Sequence, residues 1–73
     1  MIESLLDACE LALKEQGEPQ NSYWLASLVM EMKLWRASEA DVRDALTKDI
    51  AKHGPSSRFM CLPDDEFALR AWK

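Results

Sequence analysis

Two glycines, three prolines, two cysteines and one histidine in 73 residues exclude several kinds of protein at once. Chain breakers this sparse leave no room for a low-complexity tract or a linker. Cys9 and Cys61 stand 52 positions apart with no Cys-x-x-Cys pair, which gives neither a disulfide framework nor a zinc motif. His53 has no companion ligands at short spacing, and no glycine-rich phosphate loop or nucleophile motif occurs. The expectation is therefore no enzyme, no metal, no cofactor and no small-molecule substrate. No apolar run approaches the ~20 residues of a membrane span, so no membrane partner is expected. Met1-Ile2-Glu3 opens with neither a basic segment nor an apolar stretch, so no secretory leader is read. The two thiols are then expected to be reduced core residues of a cytoplasmic protein.

A basic balance is also missing. Thirteen acids against nine bases give a net charge of −4. A DNA-binding domain usually carries the opposite sign, because neutralising phosphates supplies most of its non-specific affinity. Binding to nucleic acid would need a local basic patch.

What is present is a globular composition, 48% hydrophobic and 30% charged. The length suits one small domain spanning residues 1–73. Ile2, Leu5, Leu6, Cys9, Ala12 and Leu13 recur at helical spacing, and Gly17 followed by Pro19 stops that helix. A second helix opens after Asn21 and Ser22, both good N-caps, and is expected to run to about Lys33. Leu25, Leu28, Val29 and Met32 make its core stripe; Trp24, Met30, Leu34 and Trp35 lie at the margin of the stripe or beyond it. A turn over residues 34–37 leads to a third helix beginning at Ser38, where Ser38 and Asp41 form a shortened capping box. Val42, Ala45, Leu46 and Ile50 are its buried stripe, Lys52 and His53 suit its negative end, and Gly54-Pro55 ends it. From there the period changes to two. Phe59 and Cys61, then Phe67, Leu69 and Ala71, alternate with Arg58, Met60, Ala68, Arg70 and Trp72 across the turn Pro63-Asp64-Asp65-Glu66. Three helices followed by a two-stranded hairpin give a mainly α, α+β winged helix-turn-helix, in which the third helix is the recognition element and the hairpin the wing.

The C-terminal half carries a further signal. Asp44-Ala45-Leu46-Thr47-Lys48-Asp49-Ile50, Gly54, Ser57-Arg58-Phe59, then Phe67-Ala68-Leu69-Arg70 and Trp72 resemble the HARE-HTH family. The opening helix from Leu5-Leu6-Asp7-Ala8 to Gly17-Glu18-Pro19 is similar as well. The resemblance implies a winged helix and a non-enzymatic, accessory role in DNA transactions, as in the delta subunit of bacterial RNA polymerase. Trp72 would close the core, as its family counterpart does. The chain departs from the pattern twice. Trp24 precedes Leu25 where the family usually has an acid, and the wing turn Asp64-Asp65-Glu66 lacks the usual glycine.

Two surfaces compete for the function. From Arg43 to Leu62 four bases face two acids, whereas residues 1–36 hold six acids against three bases. On the first reading Arg43, Thr47 and Lys48 face a DNA groove, with Lys52 and Arg58 near the backbone and Arg70 a further basic candidate. The plain alternative is a solvated helix face laced by pairs such as Asp44 with Lys48. On the second reading Trp24, Met30 and Trp35 are more apolar surface than so small a core absorbs. They would then dock a protein partner such as RNA polymerase, or a second copy of the chain. The plain alternative there is that Trp35 folds under its turn.

Overall fold

The computed structural model describes residues 3–72. Helix α1 spans Leu5–Gln16. The Ser4 side chain accepts a hydrogen bond from the Asp7 amide, and Gly17 ends the helix at φ 73°, where its N–H reaches the Leu13 carbonyl. That left-handed conformation carries no Cβ penalty in glycine. Ile2, expected on the same apolar face, lies outside the described residues.

After Pro19, Gln20–Asn21 pair with a later strand and form a short strand, β1, that the sequence reading does not contain. Two polar residues cannot display a period of two, so the strand leaves no pattern to count. Asn21 also caps helix α2, Ser22–Glu31, by accepting from the Trp24 amide at 2.8 Å. The helix stops two residues before the expected Lys33. Lys33 takes a left-handed φ of 58°, its N–H bonds to the Met30 carbonyl, and Leu34 N–H bonds to the Val29 carbonyl. This is the paired bonding of a Schellman cap, with lysine in the glycine position.

Helix α3, Glu39–His53, begins with a reciprocal capping box: Ser38 Oγ accepts from the Asp41 amide, and Asp41 accepts from the Ser38 amide. Strands β2, Phe59–Cys61, and β3, Glu66–Leu69, follow. Together with β1 they form a three-stranded antiparallel sheet in the order β1-β3-β2, rather than an isolated two-stranded hairpin. The loop between β2 and β3 closes through Leu62 N–H to the Glu66 carbonyl, with Asp65 left-handed at φ 59°. Aspartate tolerates the conformation that glycine would take there. The architecture is a winged helix of α+β class.

The core sits where the three helices meet the sheet. Leu13, Leu25, Val29, Val42, Leu46 and Phe59 are fully buried, and Trp72 packs against them. Truncating any of the large ones to alanine costs about 2–5 kcal/mol, a large share of a small domain's stability. Two expectations about the sheet need correction. Cys61 shares the face of Phe59 but lies past the rim of the core and is exposed. The last strand ends at Leu69, because Arg70–Trp72 turn into a 3-10 helix that leaves Ala71 in solvent. Ala68, by contrast, is buried in the central strand.

Candidate interaction surfaces

The cations proposed for DNA are mostly committed within the molecule. Arg70 reaches back under the sheet and donates to three backbone carbonyls, those of Ser57, Gly54 and Phe59, at 2.9–3.2 Å. It satisfies the open carbonyls of Ser57 and Phe59 and shares that of Gly54 with the Ser57 amide, which is a structural role. Arg58 projects onto α1, where its guanidinium lies 2.8 Å from both Asp7 and Glu10, and it stacks over Phe59. The Arg58 hydrogen bond holds the Asp7 carboxyl below its ordinary range, and the Asp7 hydrogen bond in turn raises Arg58. Both partners lie far from Arg58 in sequence, so local spacing gives no hint of the bridge.

On α3, Arg43 bonds Glu39 through Nε at 3.0 Å, a contact that raises its pKa, with Asp65 of the wing turn adding a smaller attraction. Glu39 also accepts from the buried Ser22 hydroxyl at 2.6 Å, tying the starts of α2 and α3 together. The Ser22 bond, and then that of Arg43, hold the Glu39 carboxyl below its ordinary range. The Thr47 hydroxyl donates back to the Arg43 carbonyl of its own helix. The anticipated Asp44–Lys48 ion pair is absent; the pairs within α3 are Glu39–Arg43 and Asp49–His53. Of the six candidates, only Lys48 and Lys52 are exposed cations without an ion pair among the described residues. Helical spacing sets Asp41 and Asp44 on the same outward face as these two lysines.

The Asp49 carboxylate deserves comparison with a catalytic arrangement. It lies 3.6 Å from His53 Nε2 and accepts from the Ser57 hydroxyl at 2.6 Å. The hydroxyl proton is thus given to the carboxylate and not to the imidazole, the reverse of what activates a serine. Ser57 Oγ in turn accepts from the Phe59 amide, fixing the turn into β2. The Cys9 thiol is pushed up to about 12 by burial, which keeps it protonated and unreactive.

The apolar candidates are in solvent. Trp24 is 57% exposed, Met30 51% and Trp35 39%; Trp35 does not fold under its turn. Tyr23, 64% exposed, belongs with them although the sequence reading passed over it. Its signal was available, since at 3.6 residues per turn Tyr23 and Met30 fall on one face. The ring of Tyr23 meets that of Trp24 edge-on, with centroids 5.9 Å apart. At the other end of α2, Met30 and Trp35 line an open groove of about 370 Å³ together with Lys33, Leu34 and Arg36. So the three expected partner residues divide between the start of α2, where Trp24 lies, and its other end with the following turn, where Met30 and Trp35 lie.

Helix α2 is also locally ill-suited to its own stability. Trp24 occupies the third helical position after the Asn21 cap, where glutamate or glutamine would complete a capping box. No acid lies in the first turn and no base in the last. Lys33 takes the left-handed position that glycine fills at least cost. Among the described residues no helix is long and apolar enough to cross a membrane, and no three histidine, cysteine or acidic side chains converge to hold a metal ion. The chain matches no protein-family model, no curated protein and no solved structure.

Proposed function

We propose that this chain is a non-catalytic winged helix that docks on a protein partner through the solvent face of α2 and the turn after it. The HARE-HTH likeness suggests a cytoplasmic assembly engaged in DNA transactions. One observation carries the reading. Tyr23, Trp24 and Met30 on α2 and Trp35 in the turn after it stand in solvent, and the helix, though capped by Asn21, has no dipole-complementing charge and a lysine in the glycine position of its C-terminal cap. Large aromatics at an exposed, locally unfavourable position contribute little to folding and much to an interface.

DNA contact through α3 is the weaker reading. Arg43, Arg58 and Arg70 have internal partners, and Lys48 and Lys52 alone would neutralise two phosphates, too few for strong salt-dependent binding. Photo-crosslinking separates the two. A crosslinking amino acid at Met30 should capture protein in extract of the source cells, and one at Lys48 should capture none. Nucleic acid captured at Lys48, with nothing at Met30, would reverse the assignment.

A further inference from the structure

The groove at the C-terminal end of α2 has a charge opposite to that of the chain. Its lining is Met30, Lys33, Leu34, Trp35 and Arg36: two cations and no acid, in a protein where acids outnumber bases thirteen to nine. Neither Lys33 nor Arg36 has an ion pair among the described residues, and both are exposed. This sets them apart from Arg43, Arg58 and Arg70, which are all engaged.

The backbone adds a second observation. Leu34 at the position after the Schellman residue is half-buried against the core, which fixes the turn and leaves Met30 and Trp35 outside. Lys33 is held left-handed in that turn, where a lysine is disfavoured and a glycine is not. The turn itself would be served as well by glycine, so the lysine is a cation at the rim of an apolar groove that the backbone does not require.

Resting on the docking reading above, we infer that this groove receives an acidic segment of the partner, anchored by one bulky apolar side chain. The apolar anchor inserts between Met30 and Trp35, and flanking carboxylates meet Lys33 and Arg36. A groove of about 370 Å³ has room for one or two large side chains, and methionine adapts its shape to the one it meets. The arginine can grip a carboxylate with two parallel hydrogen bonds. A second copy fits less well. The acidic wing turn of one molecule seated in the groove of the next makes a head-to-tail contact, which closes only at special angles and otherwise grows into filaments.

The test titrates three twelve-residue peptides into the isotopically labelled protein, followed by amide shifts and tryptophan fluorescence. One peptide is glutamate- and aspartate-rich with a central Leu-Phe pair; the second replaces its acids with lysine; the third replaces Leu-Phe with Ser-Ser. The acidic apolar peptide should bind at micromolar concentration, shifting residues 30–36, and weaken at least fivefold in 0.5 M salt, as exposed ion pairs do. Lys33→Gly and Arg36→Gln should each weaken it at least threefold, and Trp35→Ala about tenfold or more, in line with loss of an aromatic anchor. Lys33→Gly removes the cation while favouring the native backbone, so unfolding cannot account for its loss. Equal binding of the lysine peptide, still lost on Trp35→Ala, overturns the acidic partner and leaves apolar docking standing. No shift with any peptide, or association of the free protein with itself, overturns the groove assignment, and crosslinking at Met30 then decides the wider reading.

Discussion

Helices α2 and α3 follow opposite rules. Helix α3 has a complete capping box, acids Glu39 and Asp41 in its first turn, and Lys52 and His53 in its last. The charges of Glu39, Asp41 and Lys52 complement the helix dipole and need no ligand to explain them. Helix α2 has a tryptophan where a capping acid would stand, no dipole-complementing charge, and lysine in the glycine position of its C-terminal cap. The charged helix that looks functional is largely accounted for by its own stability. The apolar helix that looks structural carries side chains that stability does not explain.

The widest gap should come from the cations that serve the fold. Arg70→Met strands the partly buried carbonyls of Ser57 and Phe59, leaving that of Gly54 with the Ser57 amide alone, and should lower unfolding free energy by about 1–3 kcal/mol in a urea titration. Arg70→Lys should recover little of this, because a lysine cannot present the same planar fork. A loss under ~0.5 kcal/mol would return Arg70 to the surface set.

Trp24→Ala works the other side of the comparison. Partner capture should fall at least tenfold, as for an interface residue worth about 2 kcal/mol, while the urea midpoint moves little. A large stability loss with capture intact would make Trp24 a core residue.

Lys33→Gly should stabilise the protein by about 1 kcal/mol, since glycine adopts φ 58° without the Cβ penalty. The same variant should bind its partner less well, so stability and binding move in opposite directions. A loss of stability would show that the lysine is needed by the turn.

The Asp7–Arg58 bridge predicts a pH dependence. The folded Asp7 carboxyl titrates below its unfolded value, so its contribution is present above that value and lost as pH falls through the folded one. The window lies below about pH 4, the unperturbed aspartate range. Melting curves of Asp7→Asn should therefore depend less on pH between neutrality and pH 3 than those of the unchanged protein. Because the group is exposed, the difference should be modest.

Smallest of all, Lys48→Gln with Lys52→Gln should shift stability by no more than about 0.5 kcal/mol and leave the Met30 crosslink unchanged. Lost capture in that double variant would move the interface to α3 and erase the contrast between the helices.

Local chemistry made much of this legible. The cap at Ser38, the stop at Gly17 and the buried stripes of Leu25, Val29, Val42 and Leu46 follow from spacing, because a helix repeats every 3.6 residues whatever surrounds it. The same spacing left Trp24 and Met30 outside the stripe, and there they stand in solvent. What the chain could not show by itself depends on residues distant in sequence. Asp7 and Glu10 take up Arg58 from 51 and 48 positions away, and Arg70 curls back to Gly54, Ser57 and Phe59, so the apparent basic patch dissolves. Strand β1 exists only because β3 offers it an edge. The sequence determined the helices, the caps at Asn21, Ser38 and Gly17 and the apolar excess, since these rest on interactions a few residues long. Only the tertiary structure decided that Arg58 and Arg70 were already engaged, because contacts between residues distant in sequence leave no period in the chain, whereas the Glu39–Arg43 pair sits at helical spacing.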